Sequence, residues 1–140
     1  MQDRPTYDEL LAAVERFLDT EIVPNVPGSR GFHARVAANA IRTVRRELEM
    51  EDEQLRAECA GLDAILGEAA LPSTLTGIRA ALRSRNEELC ALIRTNSTTE
   101  EISPAVRDHI RQIVEAKLRV TNPGLLARPT VALDHEGLTS

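Results

Sequence analysis

Apolar residues in this chain recur three and four positions apart, segment after segment, and each segment is closed by proline, glycine or a polar run. That spacing gathers them on one side of an α-helix and does not fit the alternation of a half-buried strand. Leu10, Leu11, Val14, Phe17, Leu18 and Ile22 follow Thr6 and Glu9, whose spacing is that of a capping box. The segment Pro24 to Gly31 reads as a turn-rich connector that cannot continue the helix. Phe32, Val36, Ala37, Ala40, Ile41, Val44 and Leu48 then form a second stripe, up to about Met50.

The register breaks around Glu51 to Glu53, and Leu55, Cys59, Leu62 and Leu66 mark a third helix that stops near Gly67. One long, bent helix over residues 31–67 fits the same pattern. After Pro72, with Ser73 or Thr74 as cap, a fourth helix carries Leu75, Ile78, Leu82, Leu89 and Ile93. Thr95 to Glu101 reads as a loop. Ser103 and Pro104 are the N-cap and first position of a fifth helix through Val106, Ile110, Ile113, Val114 and Leu118, closed by Asn122, Pro123 and Gly124. The fold expected is all-α: about five helices in a single, mostly antiparallel bundle over residues 1–127, followed by a polar C-terminal tail over 128–140.

Composition supports one helical domain and narrows its partners. The chain has 140 residues, enough to bury a core without disulfide or metal staples. Aromatics make up 2% of it, with no Trp, and Ala, Leu, Arg and Glu dominate, a mix that favours helices. A formal charge of −5 and the lack of aromatic stacking platforms argue against nucleic acid. Cys59 and Cys90 sit in apolar helical pattern and read as small buried hydrophobes. The N-terminus has no apolar signal core and no run approaches a membrane span, so a cytoplasmic, soluble protein is expected.

Two groups of polar residues stand out. Helical phase turns Glu21, His33, Asn86 and Lys117 toward apolar stripes, which implies either a structural polar network in the core or a polar pocket. Phase also turns Arg35, Asn39, Arg42, Arg45 and Arg46 to the outer face of the second helix. There they form a solvated, salt-bridged surface, or a contact for anions or a partner's acidic surface, with Arg35, Asn39, Arg42 and Arg46 as its centre. No motif for catalysis or nucleotide binding is present and the three histidines are scattered, His109 on the expected exposed side of its helix and His135 in the tail. Neither a catalytic residue, a metal site nor a cofactor is expected.

The stretches RPTYDELLAAVERFL, FHARVAANAIRTVRREL, NEELCALIR and AKLRVTNPGLL together resemble a family of small bacterial domains of unknown function. Members are encoded beside aminoglycoside-phosphotransferase-like kinases and acyl-CoA dehydrogenases, and include the small subunit of the 4-hydroxyacyl-CoA kinase of levulinate catabolism. The most recognisable positions are Phe32, His33, Arg35, Asn39, Lys117, Asn122 and Pro123. The resemblance implies a non-catalytic accessory subunit of such a kinase, with phosphotransfer carried out by the larger partner. Two other readings stay open: a small-molecule-binding or enzymatic bundle using a core pocket of Glu21, His33, Asn86 and Lys117, and a structural homodimer.

Overall fold

A computed structural model describes residues 3–96 and 102–127, with only the backbone of Asn96. The described residues fold into helices and contain no strand. α1 (Tyr7–Phe17) starts at the expected capping box: Thr6 Oγ1 accepts from the Glu9 amide at 3.2 Å, and the Thr6 amide donates back to Glu9 Oε2 at 2.8 Å. It runs into one π-helical turn, Leu18–Ile22, where the Val23 amide reaches back five residues to the Leu18 carbonyl.

α2 (Gly28–Leu66) is the spine. Its 39 residues form one helix, about 58 Å long. The expected second and third helices are therefore continuous, because Glu51, Glu53 and Gln54 are good helix formers and neither Pro nor Gly interrupts the run. What changes there is the neighbour, from α1 to the helices that follow. The connector is also shorter than expected, since Gly28 and Gly31 lie inside α2. Gly67, at φ +89°, ends it.

α3 (Leu75–Asn96) starts where Thr74 Oγ1 accepts from the Gly77 amide, so Thr74 is the cap. α4 (Pro104–Thr121) is capped by Ser103 with Pro104 in the first position, and a short α5 (Pro123–Leu126) follows Asn122. Thr95 and Asn96 belong to α3; the rest of the expected loop, His135 and the expected tail lie outside the described residues.

The polar contacts fix the directions. On α2 and α3 the paired positions rise together, Glu51 with Arg79 and Glu58 with Asn86, so these helices are parallel. Residues 67–74 carry the chain back along the spine. On α4 the order is reversed: Arg46 meets Val120, Gln54 meets Ala116, and Gly61 meets His109. α1 also runs antiparallel, but along the N-terminal half of α2. The bundle is mostly antiparallel, with one parallel pair.

The main cluster of buried apolar residues lies in the C-terminal half. Cys59, Leu62, Leu82, Leu89 and Val106 are buried together, flanked by Leu55, Ile65, Leu66, Ile78 and Ile93. The N-terminal half of α2 buries only Gly31, Ala34 and Ala38, small residues that let the preceding chain come close; a Cβ at Gly31 would stand 2.1 Å from the Val26 carbonyl oxygen.

Several expected interior positions are corrected. His33, Lys117 and Glu21 are exposed, and Asn86 is half-buried. On α4 the face is turned: Ile110 and Val114, taken as core, are exposed, while His109, taken as exposed, is buried. Cys90 is exposed, unlike Cys59.

Candidate functional site: an uncovered helix face and an interhelical cleft

The arginine side of α2 is largely consumed within the chain. Arg42 Nε donates to Glu15 Oε1 at 2.8 Å and its Nη2 bonds Asp19, while Arg45 bonds Asp8 Oδ1 and Glu15 Oε2, both at 2.7 Å. These carboxylates raise the pKa of both guanidinium groups, and the Arg45 hydrogen bond lowers that of Asp8. Arg46 Nε donates to the Val120 carbonyl at 2.6 Å. Of the expected anion-contact set, Arg42 and Arg46 thus hold α1 and α4 in place, whereas Arg35 and Asn39 remain exposed.

The apolar side is exposed where a core was expected. Ile41, Val44, Leu48, Leu55, Cys59, Leu62 and Leu66 make one continuous stripe along α2, with Glu51 filling the single gap. α3 covers its C-terminal part. Over the N-terminal part no helix among the described residues covers it: Val44 is 47% and Leu48 42% exposed, and α1 adds Leu10 at 50%, Val14 at 49% and Phe17 at 53%. The ion pairs to α1 set a register that places Leu10 level with Leu48, Val14 with Val44 and Phe17 with Ile41. Helical phase turns all six to one side of the hairpin, in line with the groove that α3 fills further along. Phe32 and Val36 are exposed as well, on another side of α2.

A second feature lies between α2 and α4. Here Met50, Ala57, Ile113 and Ala116 line a cleft of about 470 Å³, bridged by Gln54 Nε2 donating to the Ala116 carbonyl at 3.2 Å. His109 closes one end. Its ring rests on Gly61, where a Cβ would fall 2.1 Å from Nδ1, so glycine is what admits the imidazole. His109 is 4% exposed, and its Nε2 has no hydrogen-bond partner among the described residues. Burial lowers its pKa, partly offset by Glu58, which itself accepts from Asn86 at 2.6 Å. Lys117, itself exposed, also lines this cleft. Of the four polar residues expected in the interior, Asn86 alone joins a partly buried contact, and the buried one, His109, was missed.

Among the described residues no cluster of three or more His, Cys, Asp or Glu side chains is arranged to hold a metal ion, and no helix is long and apolar enough to cross a membrane.

Residues 24–125 match the family described as domain of unknown function DUF6285. The chain belongs to this family. The DUF6285 match covers α2, α3, α4 and nearly all of α5, and begins after α1 and its π-helical turn. No curated protein and no solved structure matches the chain.

Proposed function

We infer that the chain is a non-catalytic helical subunit that docks onto a larger cytoplasmic partner through the uncovered face of its N-terminal hairpin. The observation that carries this reading is the α2 stripe, half covered by α3 and half bare. A stripe of constant chemistry whose second half lacks a covering helix is the surface onto which an amphipathic helix of another chain packs. Five side chains about half exposed and a partly buried Ile41 present about 500 Å² of apolar area, the size of the largest patches on monomers and often functional. That area suits one added helix and falls short of the roughly 800 Å² per partner of a standard stable interface. A single helix of a partner is therefore favoured over a second copy of this chain.

The resemblance supplies the partner: an aminoglycoside-phosphotransferase-like kinase acting on hydroxyacyl-CoA. Phosphotransfer requires a cradle for nucleotide phosphates and carboxylates for metal, and no sequence motif of this chain provides them, so that chemistry resides in the kinase.

The test is co-expression with the adjacent kinase and co-purification. The parent is expected to bring the kinase with it, and Val14→Glu/Val44→Glu to lose it at an unchanged melting temperature, whereas Arg35→Glu retains it. A complex that survives Val14→Glu/Val44→Glu overturns the docking face. A stable dimer of the chain alone, dissociated by the same variant, assigns the face to a second copy.

A further inference from the structure

We propose that the cleft between α2 and α4 binds a free, zwitterionic α-amino acid with a large apolar side chain, its ammonium set against the α2 wall and its carboxylate against the α4 wall. The argument starts from how charge is sorted in the lining. Among the described residues both acids of the cleft, Glu53 and Glu58, stand on α2, and both strong bases, Lys117 and Arg119, stand on α4. Yet no ion pair among the described residues joins the two helices. Arg119 pairs instead with Glu115 of its own helix, at 3.8 Å, and Gln54 is what bridges α2 to the Ala116 carbonyl. The cleft therefore keeps an acidic wall and a basic wall apart.

The register gathers both signs toward one end. Because Gln54 meets Ala116 on an antiparallel pair, Glu53 lies at the level of Lys117 and about 3 Å along the axis from Arg119. Further toward Gly61 the walls become apolar, with Ala57 on α2 level with Ile113 on α4. An α-amino acid has the same layout: ammonium and carboxylate on one carbon, and a side chain leading away from both. A simple anion or cation would satisfy one wall and meet like charge on the other. The space suits a large side chain, since small-molecule sites run from about 300 to 1,000 Å³ and this cleft has about 470 Å³, kept open by Ala57 and Ala116. Glu53, Lys117 and Arg119 are exposed, so each contact alone is weak and screened by salt. Selectivity comes from meeting both walls at once.

The experiment follows the methyl signal of Met50, which lines the cleft and is one of two methionines, in the full chain at low ionic strength. The ligands are L-phenylalanine, 2-phenylethylamine, which lacks the carboxylate, and 3-phenylpropanoate, which lacks the ammonium. L-phenylalanine is expected to shift the signal saturably, at least tenfold more tightly than either of the others. Glu53→Gln is expected to erase its advantage over 3-phenylpropanoate, and Lys117→Gln/Arg119→Gln its advantage over 2-phenylethylamine, all at exposed positions and at an unchanged melting temperature. Equal affinity for the three ligands, a preference for either single-charged one, an advantage that survives both variants, or no saturable shift of Met50 each overturns the proposal. The ligand comparison on the parent chain decides even where a variant fails to fold. Val14→Glu/Val44→Glu should leave L-phenylalanine binding unchanged, which keeps this test separate from that of the hairpin face.

Discussion

The two halves of α2 are built on different principles. The C-terminal half is held by large apolar side chains from three helices, with Leu62 fully buried at its centre. The N-terminal half is held by close approach of small residues and by ion pairs among Arg42, Arg45, Asp8, Glu15 and Asp19, while its large apolar residues face outward. Apolar burial is worth far more per residue than half-exposed ion pairs, so one half supplies most of the stability of the molecule and the other leaves an apolar surface exposed.

The sharpest way to break this comparison is truncation of matched side chains. Leu62→Ala is expected to cost about 3 kcal/mol in urea unfolding, and Val44→Ala under about 0.5 kcal/mol. Equal losses would mean that the hairpin face is covered in solution. Next in size, Gly61→Ala drives a Cβ into His109 and is expected to cost about 2 kcal/mol. Combined with His109→Ala, it should cost less than the sum of the two single changes. Strict additivity would show that the ring does not rest on Gly61.

A smaller effect separates the arginines. Arg42→Glu sets a third acid beside Glu15 and Asp19, and is expected to cost about 1 kcal/mol and to speed amide exchange in α1 at least tenfold, with α3 and α4 unchanged. Arg35→Glu should do neither. Uniform acceleration through all helices would dissolve the distinction between the halves.

The pH dependence is subtler. The pKa of His109 is lower in the folded state than its ordinary 6.5, so the unfolded chain binds the extra proton first. Stability is then full above about pH 6.5 and declines as pH falls toward the folded-state value. His109→Gln should flatten that decline, and an unchanged slope would assign it to other groups. Last, a thiol reagent should label Cys90 at once and Cys59 only as fast as the C-terminal half opens, since Cys59 is buried and burial, with Asp63 and Glu58 adding, raises its thiol pKa. Rapid labelling of both would show that this half is not the tighter one.

What could be read from the sequence was local. The capping box at Thr6 and Glu9 and the Ser103–Pro104 start of α4 depend on residues three apart, and both are present in the structure. Which side of each helix is inside depends on distant partners. On α4, Ile110 and Val114 were given the weight of core residues, yet the side that meets α2 is defined by Val106, His109 and Val120, because Gly61 makes room for a ring and no larger side chain competes for it. On α2, the arginines were turned outward because their acids, Asp8, Glu15 and Asp19, lie in another helix and leave no mark on the pattern of α2 itself. The exposed face was illegible for the same reason: an apolar stripe left open to solvent has the same spacing as one packed within the chain.

The unbroken length of α2 has a mechanical consequence. From Met50, where the C-terminal cluster begins to grip it, back to Gly28, the helix extends about 33 Å. Over that distance it acts as a lever arm. A tilt of about 5° at Met50, the residue that also lines the cleft, carries the far end through about 3 Å, enough to slide one row of side chains toward the next groove. Whatever changes the spacing of α2 and α4 is therefore delivered enlarged at the far end of the arm, and α1, ion-paired to Arg42 and Arg45, travels with it, while the Arg46 bond to the Val120 carbonyl is the contact that must give.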